Sequence, residues 1–290
     1  MNAAPGRLGR HRAGDDSETR PAGTELAGAG LTGTGLTGTG LAGTGLAGRS
    51  PAATGAMLFT QSALEYAAHR SGEAVVVLQA GCATAGGDLD LGALRASGYG
   101  VSLTMLDDDN EATRAAVAGR PELHTAVLGE LRAAPLLPRS ADIVHCCLLL
   151  DRISHAELVL GRLVDALRPG GLLLLRTADR ETAAGFLDRA LPRSLRRLAW
   201  RSLRPDEPGP YPAVYEQLAS ARGIQLFVAR HGLVISRREV CNRLDGRRRR
   251  PVIRTARKLV AGATRGRLTA AHDELRYVIR RPEDRFARVL

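Results

Sequence analysis

Aromatic residues are scarce in this chain: five tyrosines, four phenylalanines and one tryptophan among 290 residues. Any core is therefore built mainly from Leu, Val, Ile and Ala, and a hydrophobic fraction of 44% is enough to build one. Lysine is scarcer still, with Lys258 standing alone among arginines. That usage, together with abundant Ala and Gly, is what a GC-rich coding sequence gives, so the arginines need not each have a role. No apolar run approaches the length of a membrane span. The first twenty residues hold Arg7, Arg10 and Arg12 without the apolar segment of a secretory leader, so a cytoplasmic location is expected. The four cysteines (Cys82, Cys146, Cys147 and Cys241) show no C-x-x-C spacing. Reduced, structural cysteines are expected from this, with no disulfide framework and no metal site.

Charge is placed unevenly. Residues 191–290 carry 24 basic side chains against 9 acidic ones, while residues 56–190 carry 12 against 17. A basic C-terminal third suits nucleic acid, an anionic surface or an acidic protein, or is simply a solvated tail, the reading favoured for most charge runs. At the other end, residues 1–56 are of low complexity. Leu26 to Gly48 repeats a five-residue unit in which glycine is nearly every second residue. Ordering such a segment costs much entropy and buries little, so disorder is expected there. Three segments result: 1–56 disordered, 57–240 a folded domain, and 241–290 a basic, partly helical extension.

The domain is most legible between Leu136 and Arg176. Ala141 to Leu150 is an apolar run led by Asp142, suited to a strand covered on both faces. Ser154 with Glu157 has the spacing of a capping box. Leu158, Leu160, Leu163, Val164 and Leu167 then follow a helical period. Pro169, Gly170 and Gly171 end the helix, and Leu172 to Leu175 begins another strand. This is one βαβ unit, so the chain is α/β. A helix over Met57–Arg70 and strands at Ala74–Leu78, Val101–Leu106 and His124–Leu128 are expected before it. After it come a helix over Glu181–Leu191, a basic segment at Arg193–Arg204 carrying Trp200, a helix over Ala213–Ala221, and two strands, Ile224–Val228 and Leu233–Ser236, joined around His231 and Gly232.

Leu137-Pro138, Ser140 and Asp142-Ile143-Val144, followed by Leu167-Arg168-Pro169-Gly170-Gly171-Leu172, resemble the fourth and fifth strands of the class I S-adenosylmethionine-dependent methyltransferases. The small-molecule, type 11 branch is the nearest likeness, and it extends over about Ala74 to Glu239. The resemblance implies a doubly wound, Rossmann-like, mostly parallel seven-stranded sheet with an antiparallel last strand. It implies S-adenosylmethionine as cofactor, with the strand after Asp142 running past it.

That family presents a glycine-rich turn after the first strand and an acid after the second. Here the turn keeps Gly81, followed by Cys82, but has Gln79 where the acid belongs and Ala83 and Ala85 where glycines belong. Gly86 and Gly87 offer a replacement one residue on. Strand two ends in Asp107, Asp108 and Asp109. Asp107, with Asp108 beside it, is placed for the ribose hydroxyls, and Asp109 is suited to cap the next helix. Glu130 and Leu131 match the turn that meets the adenine, and Cys146 or Cys147 lies towards the methionine moiety. No residue stands out as a catalytic base, although His145, His155 and His231 are available. Tyr211 and Tyr215 are placed to line an acceptor pocket.

The leading expectation is methyl transfer to a small-molecule acceptor. The altered glycine turn favours a second reading, an inactive binding or scaffold module of the same fold. A nucleic-acid methyltransferase is a third reading, disfavoured by the lack of interleaved aromatics in the basic third and of an N-P-P-Y-type tetrapeptide after strand four. The acceptor and the oligomeric state are not legible.

Overall fold

The computed structural model describes residues 51–70, 74–84, 88–203, 209–242 and 250–283, all within one compact unit. The expectation of disorder over residues 1–50 lies outside the described residues. Residues 51–56, also expected to be disordered, open helix α1 (Pro51–Ala68), six residues ahead of the expected start at Met57. Proline suits a first helical position because its φ is already set and its missing N–H is not needed there.

Seven strands make one sheet: β1 (Val75–Ala80), β2 (Val101–Asp107), β3 (Thr125–Leu128), β4 (Ala141–Cys147), β5 (Leu167–Ala178), β6 (Val234–Cys241) and β7 (Glu274–Arg280). Their order is β3-β2-β1-β4-β5-β7-β6. β1 to β5 pair in parallel, and β7 runs antiparallel to both its neighbours, β5 and β6. The remaining helices are α2 (Leu91–Ala96), α3 (Glu111–Ala118), α4 (Ala156–Ala166), α5 (Ala183–Ala190), α6 (Arg193–Leu203), α7 (Ala221–Arg230) and α8 (Arg250–Ala263). No helix among the described residues is long and apolar enough to cross a membrane.

Successive side chains of a strand face opposite ways, so a strand buried on both faces reads as a continuous apolar run. Val144, Cys146, Leu173 and Leu175 pack on one face with Val159, Leu160 and Leu163 of α4 and Ile224 and Phe227 of α7. Ile143, Leu172 and Leu174 pack on the other with Phe59, Ala63 and Ala67 of α1 and Leu94 of α2.

The last part of the sheet departs from expectation. Ile224–Val228, expected as a strand, lies inside α7, and Ala213–Ala221, expected as a helix, lies almost wholly in the irregular segment before it. Ile224, Phe227 and Val228 are buried at the i, i+3, i+4 spacing of a helix face. Ser220 caps α7 by accepting from the Gly223 N–H at 3.0 Å. The partner of β6 is β7, which comes from the stretch expected as a basic extension. α4 is likewise capped differently: Ser154 is not its cap. The Glu216 carboxylate accepts from the N–H groups of His155 at 2.7 Å and Ala156 at 3.0 Å.

Asp142 fastens the lower end of the sheet. It is fully buried, accepts from the Val76 N–H at 2.8 Å and the Tyr66 hydroxyl at 3.2 Å, and is ion-paired with Arg168 at 3.0 Å and with Arg70. One carboxylate thus joins β4 to α1, β1 and the start of β5. Gly171 makes the close approach possible, because a Cβ there would lie 2.9 Å from both the Asp142 and Arg168 carbonyl oxygens. Asp142→Ala should lower the unfolding free energy by about 3 kcal/mol, since it strips partners from a buried N–H and two arginines. Urea titration checks this, and a loss below about 1 kcal/mol would mean the arginines simply turn to water.

Candidate functional site

In an open α/β sheet, ligands bind beyond the carboxyl ends of the strands where the strand order reverses. Here that point lies between β1 and β4. β1 ends at Ala80, and Gly81 turns the chain with φ +73°, a conformation open to glycine. A Cβ on Gly81 would meet the Cys147 carbonyl oxygen at 2.8 Å and the Arg152 guanidinium at 3.1 Å. The turn therefore needs glycine because the end of β4 and the loop behind it press on it.

Asp107 closes β2 and is 2% exposed. Its carboxylate accepts from the Ala83 N–H at 3.1 Å, the Asp108 N–H at 2.9 Å and Arg152 Nη2 at 2.9 Å. Arg152 also reaches the Gly81 carbonyl oxygen at 3.4 Å, and its guanidinium lies 4.7 Å from the centre of the Tyr211 ring. Burial works against this charge, and Asp107, the Tyr211 hydroxyl and the other nearby carboxylates more than offset it, so its pKa is raised. Tyr211 bonds through its hydroxyl to Thr84 and meets Trp200 of α6 edge-on at 5.8 Å between ring centres. On the other side Arg120 reaches Gln79 Oε1 at 3.4 Å and the carbonyl oxygens of Cys82 at 3.4 Å and Ala83 at 3.3 Å. Two arginines thus hold the turn from opposite sides.

Of the residues expected here, Gly81, Cys82, Ala83 and Asp107 come together, with Asp108 exposed beside them. The Asp108 carboxyl is pushed up by partial desolvation, against the pull of Arg152 and with the Asp107 charge adding to it. Glu130 is exposed and ion-paired with Arg132, and Leu131 is buried in the core. Cys146 pairs with Ala80 just below the turn, its side chain packed on the α4 face of the sheet. Ala85, Gly86 and Gly87 lie outside the described residues. Tyr211 lines the crevice, whereas Tyr215 is buried and donates to Asp188 at 3.1 Å. His155 and His231 sit at the ends of α4 and α7. His145 is fully buried beneath the turn, and desolvation first, then Arg176, hold its pKa down to about 3, so it is a neutral imidazole.

Sequence reasoning missed Arg152 and Arg120. The one available signal for Arg152 was a cation just beyond the strand expected to pass the ligand. It also missed that Cys82, His145 and Cys147 meet under the turn. Beside them Arg176 (β5) and Arg276 (β7), both buried, share the carboxylates of Asp88 and Glu274, at 2.8–2.9 Å for Arg176.

By sequence, the chain matches no family model and no curated protein. By structure, it is similar to a candidate sarcosine dimethylglycine methyltransferase from Galdieria sulphuraria at TM-score 0.50 and 14% identity, covering 79% of this chain and 85% of that one. An S-adenosylmethionine-dependent methyltransferase from Mesorhizobium loti gives TM-score 0.46 at 18% identity over 76% of this chain and 96% of its own. Phosphoethanolamine N-methyltransferase 2 of Haemonchus contortus, solved with S-adenosyl-L-methionine, gives 0.42 at 15% identity over 77% and 52%. At these identities the likeness is one of architecture. The chain has the class I S-adenosylmethionine-dependent methyltransferase fold, with its seven strands in that order and β7 reversed.

The Asp107–Arg152 pair is the part of the crevice most open to measurement. Arg152→Met leaves a buried carboxylate without its cation and should cost about 3–5 kcal/mol in urea unfolding. Adding Asp107→Asn to Arg152→Met should restore more than half of that loss. Additive single losses would show that the two side chains do not act as a pair.

Proposed function

We propose that the chain binds S-adenosylmethionine in the crevice between β1 and β4 and transfers its methyl group to a small-molecule acceptor. The observation that carries this reading is the buried Asp107 carboxylate, at the end of β2 and hydrogen-bonded to the turn after β1. A carboxylate so placed suits a ribose diol, because two hydroxyl donors match its two oxygens. When bound, the sulfonium cofactor supplies an electrophilic methyl group.

The chain's own residues do the rest. Asp107 accepts from the diol, and Arg152, which competes for the same carboxylate, withdraws from it. Tyr211 and Trp200 cover the crevice from the loop before α7 and from α6. Transfer from a sulfonium to a good nucleophile needs alignment more than a base, which suits a crevice beneath which His145 is buried and neutral. Trp200 is half-buried and engaged edge-on by Tyr211, which favours a small acceptor over a stacked nucleic acid base.

The Arg152 contacts also favour the second reading, a closed module of the same fold that does not turn over. Calorimetric titration with S-adenosylmethionine separates the two. Opening the pair sets a penalty on wild-type affinity, tenfold for each 1.4 kcal/mol. Arg152→Met should therefore bind more tightly than wild type, and Asp107→Asn at least about 10-fold more weakly. Silence from both wild type and Arg152→Met at millimolar cofactor, with both folded by circular dichroism, would leave the closed module.

A further inference from the structure

Beneath the turn, three soft or borderline donors converge from β4 and from the turn after β1. His145 and Cys147 are two residues apart on β4 and so share a face, the one turned towards α1. Cys82 follows β1 and drops its side chain onto the same spot. All three residues are fully buried. Their donor atoms lie within 4.8 Å of one another, and Cys82 Sγ is 3.6 Å from His145 Nδ1.

That distance serves a hydrogen bond between thiol and imidazole, and it is equally the spacing of two ligands on one ion. A tetrahedral zinc ion with Zn–S near 2.3 Å and Zn–N near 2.0–2.1 Å sets sulfur and nitrogen about 3.6 Å apart. The surroundings suit a cation held by thiolates as well. Two thiolates balance a divalent charge, and Arg176 Nη1, 3.9 Å from Cys147 Sγ, is a donor to sulfur of the kind that orients metal ligands. Arg176 is fixed in turn by Asp88 and Glu274. The apolar packing of Phe59 edge-on to the His145 ring at 5.5 Å fixes its plane without using a polar atom.

We propose that Cys82, His145 and Cys147 form a binding site for a thiophilic divalent cation, zinc in kind. Two sulfurs and one imidazole make a donor set that prefers zinc to magnesium or calcium. Three protein ligands leave the fourth position of a tetrahedral ion to a non-protein ligand. The site staples the turn after β1 to the end of β4, so it stiffens the floor of the crevice without entering it. It stands whether or not the crevice binds a nucleotide.

The test uses the full chain carrying Cys146→Ala and Cys241→Ala, two cysteines outside the cluster. In that protein the only thiols are Cys82 and Cys147. Under reducing conditions it should take up one equivalent of Co²⁺ with a sulfur-to-cobalt charge-transfer absorption and tetrahedral d–d bands, and lose both when Zn²⁺ is added. Zinc should also raise its melting temperature. Adding His145→Gln should abolish or sharply weaken the uptake. If that variant does not fold, the stoichiometry and the tetrahedral spectrum of the parent decide alone. Absence of the charge-transfer band at equimolar Co²⁺, uptake unchanged in folded His145→Gln, or a Cys82–Cys147 disulfide that once reduced still takes no metal would each overturn the proposal.

Discussion

A sheet covered on both faces must satisfy its polar groups from within the protein, and that constraint organises this chain. Among the described residues, each charge buried in or beside the sheet comes with partners. At the lower end Asp142 gathers an N–H, a hydroxyl and two guanidinium groups. At the upper end Asp107 holds Arg152 and two N–H groups. On the β5–β7 side Arg176 and Arg276 share Asp88 and Glu274. Buried pairs of this kind add little stability over an apolar core, but breaking one leaves an unpaired charge in a dry place. They therefore act as alignment pins: each fixes which strands are neighbours and at what height.

The parts of the fold legible in the sequence are those where burial alone sets the pattern. β4, α4 and β5 could be read from Ala141 to Leu175 because apolar runs, helical periodicity and Pro169-Gly170-Gly171 agreed. β7 was not legible, since Glu274, Arg276 and Arg280 made a central strand look like part of a solvated basic tail. Its burial depends on carboxylates at Asp88 and Glu239, far away in sequence. In Ile224–Val228 a short apolar run fits a strand and a helix equally, and the Ser220 cap decided for the helix. Glu216 displaced the Ser154 capping box because a carboxylate from another segment reaches two N–H groups at once.

The crevice shows the same division. Asp107 could be placed from its position at a strand end, because topology fixes where strand ends meet. Tyr211 could be placed from its loop before α7, but Arg152 and Arg120 could not, because their importance lies in side chains reaching across loops. Local sequence shows a cation just beyond β4 but not where its side chain reaches. Nor does it show that Cys82 meets His145 and Cys147, since spacing rules such as C-x-x-C register only ligands that are close along the chain.

The position of β7 has a consequence for how the protein is made. Ribosomes deliver the chain from its N-terminal side at about 5–20 residues per second, and earlier elements begin to fold first. β5 is complete at Ala178, yet the strand that covers its outer edge ends at Arg280. For the hundred residues in between, the hydrogen-bonding edge of a Leu-rich strand stays open, and β6 has no neighbour to join. An open apolar edge is a template for pairing with other chains. The nascent protein thus passes through a long interval in which it needs shielding, and the final strand acts as a keystone that ends it.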